Sequence, residues 1–171
     1  PAFALGLGQG EDGSMQRPPR APSEPIVGRH GWVRIGVLGG AITVATLAAF
    51  GGALNWLHLP VGPAITVAFV TLALAQLWNV FNMRAAGSAM LRNDITCNPW
   101  IWAAIGFCLL LTGMALWLPL LSGVLKLPDP GWHGLALAAG ASLFPLLVGQ
   151  LFAVLDARRA PKKQIGRAGH A

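Results

Sequence analysis

Charged side chains are scarce in this sequence. They make up 11% of its 171 residues, whereas 54% of the residues are hydrophobic. Several runs of about twenty residues contain almost no charge. In an average soluble domain about a quarter of the residues are charged. The composition therefore argues against an ordinary soluble protein and indicates a membrane protein.

Side chains that could carry catalysis are also few. Cys97 and Cys108 are the only cysteines, and neither has a metal-ligating partner at a recognisable spacing. We interpret both as reduced thiols that serve packing. The apolar runs hold no Ser-His-Asp set, no Cys-His set and no group of carboxylates. The sequence thus predicts no catalytic machinery within this chain.

Four apolar runs are long enough to cross a bilayer, which takes roughly 20 residues in a helix. The sequence predicts an all-α membrane fold, a bundle of four transmembrane helices. Their predicted ranges are Trp32–Leu57, Pro63–Met83, Pro99–Leu121 and Trp132–Leu155. Six tryptophans lie near the ends of these spans, as expected for rings that prefer the headgroup level.

The flanking segments complete a division into three parts. Residues 1–31 are rich in Gly, Pro and charge, and we predict that they form a cytoplasmic arm. Residues 32–157 form the predicted membrane domain, and residues 158–171 a basic cytoplasmic tail. The start lacks the features of a secretory signal and does not begin with Met. We therefore expect the chain to be cut from a longer one.

Positive charge predicts the orientation of the spans. Of the twelve Lys and Arg residues, eleven lie before or at the start of the first span, between the second and third, or after the fourth, and only Lys126 lies on the other side. Because basic residues are retained in the cytoplasm, both termini should be cytoplasmic. The charges are spread over separate loops and lack interleaved aromatics, so nucleic acid is not an expected partner.

The second span ends in an unusual run of amides, QLWNVFNMR. On a helix, Gln76, Asn79 and Asn82 cover an arc of about 120° on one face. This face should point at protein, water or a bound ion, because an unpaired amide in lipid is costly. The residues alone leave two roles open, adhesion between helices and ligation of a hard cation. Asn82 is expected at the interface in a helix-end hydrogen bond, and Gln76 deeper.

The sequence also predicts the roles of one charged residue, one proline and one further amide within the spans. Arg34, the only charge within a span, should snorkel to the interface. Pro145 should kink the fourth span, with Ser142 satisfying part of the freed backbone. Gln150 could face the bundle, although an orientation towards the interface is the simpler expectation.

The proline-rich segment RPPRAPSEP, residues 17–25, should be extended and stiff. It is either a solvated linker or a contact that transmits motion to another domain. In the second case Arg17 and Arg20, on either side of Pro18 and Pro19, would pair with carboxylates.

Four motifs in order resemble a known family. They are PAFALGLG at the start, MQRPPRAPSEPI, QLWNVFNMR and NPWIW. Their order and spacing resemble the C-terminal membrane domain of P-type cation-transporting ATPases of the calcium-pump-like subgroup. The resemblance covers Pro1 to about Arg159, and it implies that the four spans are helices seven to ten of a ten-helix membrane domain.

The resemblance also implies partners and roles. The missing pump domains would use ATP and Mg2+ to form an aspartyl phosphate. This chain would act as a membrane scaffold beside the transported cation, expected to be Ca2+, in a bacterial plasma membrane. Gln76 occupies the position of a calcium-ligating Glu of two-site pumps. With Asn79, it would border the ion site. Arg17, Pro18, Pro19 and Arg20 would form a cytoplasmic coupling loop.

Two alternatives stay open at this point. One is a free-standing four-helix membrane protein or accessory subunit without enzymatic activity. The other is a channel, which is less favoured because only one span offers a polar face.

Overall fold

The computed structural model describes residues 28–83 and 98–159. All regular structure in these two ranges is helical, as predicted. The helices are α1 (Arg29–Asn55), α2 (Val61–Asn79), α3 (Pro99–Trp117), α4 (Pro119–Leu125), α5 (Gly131–Ser142) and α6 (Phe144–Arg159). A 3₁₀ turn at Val80–Met83 continues α2.

Four stretches of these helices are long and apolar enough to cross a membrane. They are Gly31–Asn55, Val61–Asn82, Pro99–Trp117 and Gly131–Leu155. The predicted number and order of spans are therefore confirmed. The division into arm, membrane domain and tail stays a prediction, because most of the arm and most of the tail lie outside the described residues.

The third span is shorter than predicted. Its helix α3 ends at Trp117, and Leu118 is extended, with φ −78° and ψ 118°. Pro119 follows, and a proline disfavours helical conformation in the residue before it. The predicted end at Leu121 was therefore wrong, and the chain restarts as the short, largely exposed helix α4.

The fourth span is broken at Leu143, between α5 and α6. Pro145 lies just beyond the break, so the predicted kink is confirmed. Ser142 behaves differently from the prediction, because its hydroxyl donates to the Ala139 carbonyl at 2.7 Å and not to the carbonyl that Pro145 leaves free.

Small side chains bring three helices together. Ala49 and Ala53 of α1, Ala64 of α2 and Ala138 of α5 are almost completely buried in one cluster. Small residues let transmembrane helices approach closely, which increases van der Waals contact where no hydrophobic driving force is available. Helices α1, α2 and α5 therefore form the centre of the bundle.

Helix α3 stands at the edge of the bundle. Its buried residues are Ile101 and Ile105, which pack against Val80 at the end of the second span. The rings of Phe81 and Trp102 also meet there, with centroids 5.7 Å apart. The second and third spans are thus joined close to the ends that the charge distribution assigns to the cytoplasm.

Candidate functional site

Gln76 lies on the outward face of α2. Its side chain is exposed within the described part of the chain, and so are Ile65, Phe69 and Leu72 on the same face. Phe69, Leu72 and Gln76 follow Ile65 by four, seven and eleven residues, and this spacing places all four in one stripe of a helix. Gln76 is the polar member of this otherwise apolar stripe. It is therefore the least buried of the three amides within this chain.

Asn79 lies one turn further on and is half-buried. Its Oδ1 accepts a hydrogen bond from Asn82 Nδ2 at 3.2 Å. An amide oxygen has two lone pairs, so Asn79 keeps one acceptor position.

Asn82 is the most buried of the three amides, with 3% of its surface exposed. Its Nδ2 donates to Asn79 Oδ1 and also to the Pro145 carbonyl at 3.2 Å. Its Oδ1 accepts from Gln150 Nε2 at 3.1 Å. Both amide hydrogens are therefore used, and the side chain ties the second span to the fourth.

Arg34 adds the first span to this cluster. Its Nη2 donates to the backbone carbonyl of Asn82. The last carbonyls of a helix lack partners within the helix and carry partial negative charge. A guanidinium at this place supplies both a hydrogen-bond donor and a positive charge. Arg34 is half-buried, and it caps the end of a neighbouring helix.

Gly149 provides the space that this arrangement needs. A Cβ atom at Gly149 would lie 2.3 Å from Cγ of Asn82, well inside contact distance. Gln150, its neighbour on α6, donates to Asn82 Oδ1 and to the Phe81 carbonyl, at 3.1 and 3.4 Å. Its Oε1 is buried and has no hydrogen-bond partner among the described residues. We call Arg34, Asn82, Gly149 and Gln150 the helix-end cluster.

A second polar contact joins the same two spans. Trp78 Nε1 donates to Ser142 Oγ at 3.1 Å, next to the break in the fourth span. Ser142 is fully buried, and its hydroxyl also donates to Ala139. The kink thus places a serine where the indole of the second span can reach it.

The cluster is suited to holding helices and not to binding a cation. The charge in it is the positive charge of Arg34, which would repel a metal ion. Among the residues that the structure describes, no group of three His, Cys, Asp or Glu side chains could hold a metal. Of the three amides of the second span, those whose oxygens remain available to a hard cation are Gln76 and, in part, Asn79.

The sequence placed the three amides on one span, but it did not predict which of them is buried and which is exposed. The pairing of Asn82 with Gln150 joins residues 68 positions apart, and nothing in the local pattern specifies it. The adjacent Gly149 was the available signal, since glycine within a transmembrane helix often marks a close approach. The predicted coupling loop, Arg17 to Arg20, lies outside the described residues.

Comparison with known proteins agrees with this architecture. Residues 1–155 match the family model described as "Cation transporting ATPase, C-terminus". The chain is 35% identical over 141 residues to a calcium-transporting ATPase of Bacillus subtilis, a match that covers 82% of this chain and 15% of the relative. It is 27% identical over 150 residues to calcium-transporting ATPase 1 of Lactococcus lactis, covering 86% of this chain and 16% of the relative.

The chain thus spans about one-sixth of the length of these curated relatives. The family match extends over nearly all of the four spans and their connections. The chain belongs to the family of C-terminal membrane domains of P-type cation-transporting ATPases.

Proposed function

We propose that this chain is the membrane scaffold of a pump that transports Ca2+, with Gln76 bordering the ion pathway. The observation that carries the proposal is the exposed amide of Gln76 in a stripe otherwise made of Ile65, Phe69 and Leu72. An amide facing lipid would lose its hydrogen bonds at a cost of several kcal/mol, on the order of 2 to 7. The stripe is therefore better matched to protein, water or an ion.

The relatives favour calcium as the cation, since both are named calcium-transporting ATPases. Gln76 offers a neutral oxygen, whereas a carboxylate would add charge and affinity for a hard cation. We infer a single-ion pump in which Gln76, and Asn79 through its remaining lone pair, contribute at the border of the site. ATP and Mg2+ would act in parts of the pump outside this chain.

The same proposal covers location and partners. The chain lies in a bacterial plasma membrane with both termini in the cytoplasm, in contact with the bilayer and with the remaining pump helices. Arg17 and Arg20, with Pro18 and Pro19 between them, would pair with carboxylates of a cytoplasmic domain. Aspartyl phosphate formation there would drive alternating access, and this domain would supply a stable flank for the moving helices.

The first test is the reading frame upstream of the Pro1 codon. About 2 kilobases would contain the several domains that the proposal requires, at typical domain sizes. An Asp-Lys-Thr-Gly motif in the same frame supports the pump. A stop codon followed by a local start would instead favour a stand-alone bundle, a candidate to which the self-contained alanine core of α1, α2 and α5 lends some support.

The second test is Gln76→Ala in the full-length pump. Loss of one amide ligand should raise the Ca2+ concentration for half-maximal ATPase activity by roughly 2- to 10-fold, the effect of one hydrogen-bond-strength interaction. Asn55→Ala is the matched control. This exposed amide donates to the Gly51 carbonyl of its own helix, at the end of α1 away from Arg34. Equal calcium dependence in both variants would remove Gln76 from the site.

A further inference from the structure

Asn82 makes more hydrogen bonds to other helices in the helix-end cluster than are needed to hold two helices together. Its backbone carbonyl is held from α1, its amide nitrogen from the Pro145 carbonyl, and its amide oxygen from Gln150. The contacts come from two other helices, α1 and α6. A helix end held in this way can neither slide nor rotate without breaking several hydrogen bonds.

Rotation of the second span decides where Gln76 points. Trp78 follows Gln76 by two residues, so the two side chains leave the helix about 200° apart. Trp78 is bound to Ser142 in the fourth span. With Trp78 fixed against the bundle, Gln76 must point away from it, as its exposure shows.

The cluster lies close enough to Gln76 to control it. Asn82 is six residues further along a continuous helix and 3₁₀ turn, or about 10 Å at rises of about 1.5 and 2.0 Å per residue. Nothing between the two positions interrupts the helical hydrogen bonding other than the tightening at Val80. A change in the angle at Asn82 is therefore passed to Gln76 along a short, stiff segment.

We propose that Arg34, Asn82 and Gln150, in the space that Gly149 leaves, are positioning residues that set the rotation of the second span and thereby aim Gln76 at the cation. This inference rests on the proposed function. It assigns to the cluster a role in cation affinity, although the cluster itself binds no cation. A cluster that served only to hold the bundle would affect stability and the amount of active pump, and not the affinity.

The sharpest perturbation is Gly149→Ala in the full-length pump. It removes no polar group, but its Cβ would lie 2.3 to 2.5 Å from three side-chain atoms of Asn82, which must move. We expect the Ca2+ concentration for half-maximal ATPase activity to rise roughly 2- to 10-fold, with the maximal rate per folded pump unchanged. Gly140→Ala is the matched control in the same span, since its Cβ meets nothing within 4 Å.

A double-mutant cycle tests whether the effect passes through Gln76. In a Gln76→Ala pump, Gly149→Ala should cause no further change in calcium dependence, because there is no amide left to aim. Full additivity of the two shifts would overturn the positioning role. An equal loss of maximal rate and no change in half-maximal calcium would also overturn it, because that pattern belongs to a purely structural cluster.

The two proposals fail in different ways. If Gln76→Ala alone leaves the calcium dependence unchanged, the proposed ion border is wrong. If Gln76→Ala shifts it and Gly149→Ala does not, only the positioning role is wrong. Should Gly149→Ala not accumulate as folded pump, Gln150→Leu removes the donor to Asn82 Oδ1 at similar volume and provides the same comparison.

Discussion

Polar side chains of the spans differ in where their hydrogen bonds go. Thr43, Thr46, Thr71 and Thr112 each donate to the carbonyl four residues earlier in their own helix. Thr66 reaches the Gly62 carbonyl of its own helix at 3.5 Å, but its shorter hydrogen bond, at 2.9 Å, goes to the Pro128 carbonyl in the connection between α4 and α5. A bond of the first kind satisfies a hydroxyl, whereas a bond of the second kind also holds two segments together.

This difference predicts unequal effects of threonine replacement. Thr66→Val keeps the shape of a fully buried side chain but leaves the Pro128 carbonyl without this donor. We expect a loss of about 0.5 to 1.5 kcal/mol in stability, measured as a lower midpoint of thermal unfolding in detergent. Thr43→Val, at an exposed position, should leave the midpoint unchanged. A similar fall in both variants would contradict the tertiary role of Thr66.

At the scale of helices, the third span has the weakest hold on the bundle. Of the four spans it buries the smallest share of its residues within the described part of the chain. Its attachment depends on Ile101 and Ile105 beside Val80, and on the ring contact of Trp102 with Phe81. The rest of its apolar surface is left for lipid or for further helices.

We therefore expect Ile101→Ala to loosen the third span. Removing this 2% exposed side chain opens a cavity in a small cluster, at a cost of roughly 2 to 4 kcal/mol by analogy with other large-to-small core changes. The measurement is the unfolding midpoint, with protease sensitivity as a second readout. Leu110→Ala, a change at a 59% exposed position of the same helix, is the control and should have little effect.

For the whole molecule, the basic residues predict the orientation, and the tryptophans mark the levels of the two membrane interfaces. The tryptophans near the ends of the spans are exposed, as interfacial rings should be; they are Trp32, Trp56, Trp100, Trp102, Trp117 and Trp132. Lys126 lies in the turn after α4, with a left-handed φ of 52°. Arg29 begins α1 at the opposite end of the bundle.

Labelling with a membrane-impermeant maleimide tests this orientation. In a protein without its native cysteines, Lys126→Cys should react in intact cells, and Arg29→Cys only after the membrane is opened. Both side chains are exposed, so accessibility of the residue itself is not limiting. The reverse pattern would place the termini outside and would contradict the orientation that the basic residues predict.

The sequence by itself determined the number of spans, their order and the kink at Pro145. These features depend on local properties, namely run length, charge and the missing amide hydrogen of proline. The motifs QLWNVFNMR and NPWIW also pointed to the family before any fold was known. The end of the third span was missed because Pro119 acts on Leu118 through local sterics that a hydropathy window averages out.

Only the tertiary structure decided what each amide does. Gln76, Asn79 and Asn82 have similar chemistry and lie on neighbouring turns, yet Asn82 is buried and Gln76 is exposed. That division depends on Arg34, Pro145 and Gln150, which approach from other helices across separations of 48 to 68 residues. Periodicity can tell which side chains share a face, but the partners that meet that face are set by how the helices pack.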